Sequence, residues 1–142
     1  MMCGFIVHYK LKKNFQLNKK NFIKASKEIQ HRGPDDMNTF FYKSINMIFY
    51  RLSIIDQSKN GRQPMISPSN RYVIVFNGEI YNARELKSKI NNISNLRGSS
   101  DTEILINLYE IYGKRMLKFL KGMFSFIIYD KLNDNIFSVR DR

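Results

Sequence analysis

Met1-Met2-Cys3-Gly4-Phe5-Ile6-Val7 opens the chain, setting its only cysteine within three residues of the start and directly ahead of an apolar run. A cysteine freed of its leading methionines carries its own base, an α-amino group with a reference pKa of about 7.7–8.0. Amine and thiol on one residue lie near hydrogen-bonding distance without help from a fold. The neutral amine can take the thiol proton as the sulfur attacks a carbonyl, the arrangement in which a terminal amine replaces histidine. On position alone the simpler account is a small buried hydrophobe opening a strand, because free cysteine is among the most buried residue types. Both accounts make Cys3 to Tyr9 a short buried strand.

The 142 residues are 43% hydrophobic and 13% aromatic, which fits one domain with one sizeable core. No charged segment leads into a long apolar stretch at the N-terminus, and no run of about 18 apolar residues occurs, so neither a secretory signal nor a membrane span is read. A cytoplasmic protein is expected. One cysteine cannot form an internal disulfide, and His8 and His31 are the only histidines, so no Cys/His cluster for zinc is read and no metal is expected. Lys and Arg number 24 against 12 Asp and Glu, a formal net charge of +12, which raises the question of an acidic partner such as nucleic acid. The lysines are spread from Lys10 to Lys131, however, and the densest group, from Lys10 to Lys27, reads as solvated loop and helix surface. No nucleic acid is expected.

After the first strand, Phe22, Ile23, Ala25 and Ile29 give an apolar side to a helix from about Lys19 to Gln30. His31-Arg32-Gly33-Pro34 reads as its stop, with basic residues at the negative end of the dipole. Two β-rich runs, Asn38 to Tyr42 and Asn46 to Ile55, form an antiparallel pair around Lys43-Ser44-Ile45, and turn formers fill Asp56 to Asn70. Arg71 to Asn77 reads as a strand broken by Gly78, and Ala83 to Ile90 as a short helix. Ser100-Asp101-Thr102-Glu103 has the spacing of a capping box ahead of a helical pattern that Gly113 stops. A second short helix, Arg115 to Leu120, precedes a hairpin of Met123 to Tyr129 and Asn135 to Arg140. About six strands and three or four helices make the class α+β, with helices packed on sheet faces.

Taken in order, Met2-Cys3-Gly4, His31-Arg32-Gly33-Pro34-Asp35, Arg51-Leu52-Ser53-Ile54-Ile55-Asp56, Gln63-Pro64-Met65, Asn77-Gly78-Glu79-Ile80-Tyr81-Asn82, Ser100-Asp101-Thr102-Glu103 and Ser138-Val139-Arg140-Asp141-Arg142 form a set. The set closely resembles the N-terminal glutaminase domain of glutamine-hydrolysing asparagine synthetases, a class II glutamine amidotransferase. Each motif is short and common; their order across nearly the whole chain makes the resemblance specific. The resemblance implies the N-terminal-nucleophile hydrolase fold, a four-layer αββα sandwich with antiparallel sheets, and the hydrolysis of L-glutamine to glutamate and ammonia. The wording at Arg32 to Asp35, Arg51 to Ile54 and Asn77 to Asn82 resembles the asparagine synthetase branch, not the amidotransferases of glucosamine phosphate and purine synthesis.

By the same resemblance, Cys3 attacks the side-chain amide carbon of glutamine, and the Asn77 side chain with the Gly78 N–H forms the oxyanion hole. Arg51 holds the substrate α-carboxylate through its planar fork. Glu79 and Asp101 receive the ammonium, and backbone near Ile54 and Ile55 lines the pocket. Each residue also has a plain structural account: Asn77-Gly78 a turn at a strand end, Arg51 a solvated strand residue, Asp101 a charge favoured at a helix N-terminus, Glu103 a cap.

The family nucleophile directly follows the initiator methionine, whereas two methionines precede Cys3 here. A bulky Met2 is expected to block removal of Met1, so translation is expected to start at Met2. The resemblance also implies a longer domain followed by an ATP- and Mg-dependent synthetase domain, of which residues 1–142 show no pyrophosphate loop. The chain is therefore expected to be an incomplete glutaminase domain, truncated at its C-terminal end, with no cofactor of its own. Its expected partners are L-glutamine, a synthetase domain or subunit that receives ammonia, and a second copy in a homodimer. The alternative is a catalytically silent interaction or regulatory domain that keeps the glutaminase fold.

Overall fold

The computed structural model of the chain describes residues 3–11, 17–53, 59–90 and 96–142. Among these, seven strands make two antiparallel sheets. β1 (Gly4–Tyr9), β2 (Asp36–Tyr42) and β3 (Ile45–Arg51) form the first, with β3 central. β4 (Met65–Ile66), β5 (Tyr72–Ile80), β6 (Gly122–Asp130) and β7 (Asn135–Arg140) form the second, in that order. The helices are α1 (Lys19–Ser26), α2 (Ala83–Lys87) and α3 (Asp101–Tyr112). The mixed architecture with antiparallel sheets matches the class read from the sequence.

Side chains alternate across a strand, and that alternation sorts the core into two layers. Cys3, Phe5, Val7 and Tyr9 on β1 and Ile45, Met47 and Phe49 on β3 pack against Val73 and Val75 of β5 and Ile127 and Tyr129 of β6, so the two sheets meet face to face. The intervening residues Ile74, Phe76 and Ile80 of β5, with Phe126 and Ile128 of β6, pack on the other side against Ile104, Leu105 and Leu108 of α3. On the outer side of the first sheet, Ser26 at the end of α1 shares a 3.0 Å hydrogen bond with the Tyr50 hydroxyl.

Several elements differ from the pattern-based expectation. β4 falls within Asp56 to Asn70, the stretch expected to be turn formers; β3 ends at Arg51, short of the expected Ile55; and the helix expected over Arg115 to Leu120 is a 3₁₀ turn, Gly113–Phe119. The helix expected over Lys19 to Gln30 leaves α geometry at Ser26 and continues as a 3₁₀ turn, Lys27–Arg32. The Ser26 hydroxyl donates back to Ile23 O at 2.7 Å, a local bond that competes with regular helix. The same device acts where α2 stops at Lys87 instead of reaching Ile90: Ser88 Oγ donates to Glu85 O at 2.7 Å. Gly78, by contrast, does not end its strand. β5 runs through it to Ile80, Gly78 lying opposite Phe124 with φ +146°, a conformation other residues rarely adopt.

One end of the sandwich is laced shut around Asp134. Tyr9 and Tyr129 hydroxyls and Ser44 Oγ all donate to its oxygens, tying β1 and the β2–β3 turn to the β6–β7 turn. At the same end Arg71 grips Asp130 with two bonds, Nε to Oδ1 at 3.0 Å and Nη2 to Oδ2 at 2.7 Å, and the Leu132 N–H donates to Oδ1 at 2.9 Å. The Arg71 grip holds the Asp130 carboxyl down to about 2 from its ordinary 3.8. In the unfolded chain it takes up a proton first as pH falls, so its contribution to stability is present above about pH 4 and is lost towards about pH 2. Asp130→Asn is expected to flatten this part of the acid unfolding curve; an unchanged acid slope in denaturant titrations would contradict the assignment.

Candidate active site

The Asp134 lacing fixes how the two facing sheets align end to end. Tyr9 sits at that end, its hydroxyl on Asp134 O, and Tyr72 pairs with Asp130 across β5 and β6 at the same end. From there β1 runs back to Cys3 and β5 runs forward to Asn77 and Glu79, each covering about 20 Å at roughly 3.3 Å per residue. β1 packs directly on β5, so Cys3 and the Asn77–Glu79 stretch reach the same, opposite end of the sandwich. Alternation continues the inner face from Val73 and Val75 to Asn77 and Glu79.

Arg51 arrives there by register. β1 and β3 pair with Gly4 opposite Tyr50 and Phe5 opposite Phe49, so the ladder extended by one step sets Arg51 opposite Cys3. Arg51 shares the parity of Ile45, Met47 and Phe49, hence their inner face, and is 6% exposed. A cation that buried belongs to a built site and not to the solvated strand face that pattern alone permits. Cys3 Sγ accepts the Leu52 N–H at 3.3 Å and donates to Leu52 O at 3.5 Å, next to Arg51.

Asp101 comes from the far side of β5. It begins α3, where Ser100 Oγ accepts the Glu103 N–H at 3.4 Å as the N-cap. The Asp101 Oδ2 accepts the Ile80 N–H at 2.8 Å at the forward end of β5. Burial raises the Asp101 carboxyl above its ordinary 3.8, the Ile80 N–H opposes that rise, and the neighbouring Glu79 charge adds to it. The Lys87 charge acts against the rise. Cys3, Arg51, Asn77, Gly78, Glu79 and Asp101 thus gather at one end of the molecule; Ile54 and Ile55 lie outside the described residues. Among the described residues no group of three His, Cys, Asp or Glu could hold a metal ion, and no helix is long and apolar enough to cross a membrane.

The segment read as a helix stop does more than stop a helix. Arg32 Nε donates to Cys3 O at 3.3 Å. Gly33 lies so close to β3 that a Cβ there would stand 2.3 Å from the Tyr50 carbonyl carbon and oxygen, so only glycine fits. Asp35 donates its N–H to Arg51 O at 3.0 Å and accepts the Ser53 N–H on Oδ2 at 2.7 Å. The Arg-Gly-Pro-Asp run therefore clamps the backbone on both sides of Arg51 and the carbonyl of Cys3. A helix stop needs neither an arginine before the glycine nor an aspartate after the proline, and those two surplus residues were the legible signal. Glu103 likewise does more than cap: its carboxylate accepts the Arg97 N–H at 2.7 Å and the Gly98 N–H at 2.9 Å, pinning the segment before α3.

The family model of the glutamine amidotransferase domain matches residues 2–142. The chain belongs to the glutamine amidotransferase domain family. This amidotransferase domain is 31% identical over 140 residues to the glutamine-hydrolysing asparagine synthetase of Triphysaria versicolor and 33% over 140 residues to that of Zea mays. It is 40% identical over 114 residues to glutamine-hydrolysing asparagine synthetase 2 of Bacillus subtilis strain 168. These similarities cover 99%, 99% and 80% of this chain but 24%, 24% and 15% of the relatives. The chain thus spans about a quarter or less of the length of these curated relatives.

The raised Asp101 makes one expectation about stability. Its folded value lies above its unfolded one, so its contribution to stability is present at low pH and declines as pH rises through the raised value. Asp101→Asn keeps an acceptor for the Ile80 N–H while removing the buried charge beside Glu79. The variant is expected to be at least as stable as the native domain at neutral pH, with the advantage shrinking towards pH 3.8, the ordinary value. A clear loss of stability at neutral pH in denaturant titrations would contradict this.

Proposed function

We propose that this domain hydrolyses L-glutamine to glutamate and ammonia with Cys3 as the nucleophile. The fold for that chemistry is the N-terminal-nucleophile hydrolase sandwich of αββα layers. The observation that carries the proposal is the convergence of Cys3, Arg51 and Asn77 on the facing inner surfaces at one end of the two sheets.

With its α-amine uncapped, Cys3 passes its thiol proton to that amine as the sulfur bonds to the glutamine amide carbon. The carbonyl oxygen takes the electron pair and is met by the Asn77 side-chain amide and the Gly78 N–H. The protonated amine then gives its proton to the departing nitrogen, ammonia leaves, and a thioester remains on Cys3. Water attacks the thioester with the same amine as base, releasing glutamate and restoring the thiol. Arg51 takes the α-carboxylate as a bidentate pair. Glu79 and Asp101 take the α-ammonium, which relieves their mutual repulsion, and backbone near Ile54 and Ile55 completes the pocket.

The ammonia goes to a synthetase domain or subunit of the asparagine synthetase type, where ATP and Mg would act; none of these residues is assigned to a cofactor. The work is placed in the cytoplasm, and a homodimer is its proposed assembly.

The test uses domain whose intact mass shows Cys3 at the N-terminus. It is expected to release ammonia from glutamine and to be alkylated on Cys3 by a glutamine-like diazo ketone. Cys3→Ala should abolish release while leaving glutamine binding measurable, and Asn77→Ala should lower kcat by about 10²–10³-fold. Folded protein with a free Cys3 terminus that neither reacts nor turns over would leave a catalytically silent domain instead.

A further inference from the structure

Gln63-Pro64-Met65 is a motif of the set with no part in the chemistry above. Gln63 is 6% exposed, and both ends of its side-chain amide are engaged. Its Oε1 accepts the Phe76 N–H at 2.6 Å, and its Nε2 donates to Thr102 Oγ1 at 2.9 Å. β4 and β5 pair with Met65 opposite Ile74, so the same register sets residue 63 opposite Phe76. The Gln63 side chain therefore stands where the backbone carbonyl of a longer β4 would stand.

That substitution of side chain for backbone leaves a gap of one particular kind. Tyr81 N–H bonds to Lys121 O at 2.8 Å, and antiparallel ladders alternate, so Asn77 and Glu79 direct their amides to β6. Phe76, Gly78 and Ile80 direct theirs to the other edge of β5. Gln63 caps the first of these three and Asp101 the last, at 2.8 Å. In this register residue 61 falls opposite Gly78, so a β4 extended by two ladder steps would have paired with the Gly78 N–H and blocked it; the Gln63 side-chain cap ends the ladder before that. The same amide reaches Thr102, next to Asp101, and so links the β5 edge to the start of α3.

We infer that Gln63 is a positioning residue for glutamine hydrolysis, holding Phe76 and Thr102 so that the Gly78 N–H between the two capped amides stays aimed at the oxyanion. The inference rests on the glutaminase reading. Gln63 acts through Gly78 and touches no substrate atom, so its effect falls on the tetrahedral state more than on bound glutamine.

The experiment compares two constants that do not depend on the fraction of correctly folded molecules: KM for L-glutamine and Ki for its γ-aldehyde analogue. The aldehyde adds the Cys3 thiol across its C=O bond, forming a C–S bond while the oxygen takes the proton, and that oxygen occupies the oxyanion position. Gln63→Met, of similar length without the hydrogen bonds, is expected to raise Ki by about tenfold or more and KM by less than about threefold. Gln63→Glu keeps an acceptor for Phe76 and should return Ki to within about threefold of native. Should Gln63→Met fail to fold, Thr102→Val frees the amide on one side and is expected to raise Ki by a smaller factor, again more than KM. Parallel changes in Ki and KM, or no change in either, overturn the inference. Native domain that releases no ammonia overturns the glutaminase reading and this inference with it, so the native assay tells the two failures apart.

Discussion

The register of β1 against β3 is the constraint on which the site depends. Gly4 opposite Tyr50 puts Cys3 and Arg51 side by side and on the inner face. A slip of one residue would turn either strand over, send Arg51 to solvent and bury Tyr50 between the sheets. The register is held from several directions. Phe5, Val7, Met47 and Phe49 are committed to the inter-sheet core, Gly33 allows its segment to lie against the Tyr50 carbonyl, and Asp134 laces the far end. Cys3, the first described residue and the proposed nucleophile, is anchored by Arg32 on its carbonyl and by Leu52 on its sulfur.

The second sheet meets this end with a strand edge that is only partly covered. β4 pairs with β5 over two residues, and beyond it two side chains, Gln63 and Asp101, take over as acceptors. Side-chain caps allow what a full ladder forbids, a Gly78 N–H with no β4 partner among the described residues, between two satisfied neighbours. Gly78 suits that place for a second reason, since its φ of +146° and the 2.1 Å from a would-be Cβ to Met123 O admit no side chain. Asp101 is buried there near Glu79, at a cost to the folded state when its carboxyl is ionised.

Much of this was legible in the sequence. Alternating apolar runs gave β2, β5, β6 and β7 to within a few residues, and Ser100 with Gly113 marked both ends of α3. The ordered motifs named Cys3, Arg51, Asn77, Gly78, Glu79 and Asp101 together. What stayed hidden had a common cause: contacts made by residues that also satisfy a simpler local rule. Gly33 obeys the helix-stop rule, so its approach to β3 was invisible. Gly78 obeys the strand-breaker rule, yet tertiary pairing with Phe124 carries β5 through it. Ser26 and Ser88 are neutral in a periodic pattern, yet their back-bonds end two helices early. Gln63 shows no periodic signal at all, because its partners, Phe76 and Thr102, lie 13 and 39 residues away.

The central claim is that the sulfur of Cys3 lies between the Arg51 fork and the forward end of β5, and a crystal structure of the domain alkylated on Cys3 by a glutamine-like diazo ketone tests it most directly. The account predicts the α-carboxylate of the adduct on the Arg51 guanidinium, its ammonium between Glu79 and Asp101, and its carbonyl oxygen within hydrogen-bonding distance of Gly78 N. An adduct whose carboxylate and ammonium lie away from these groups would contradict it.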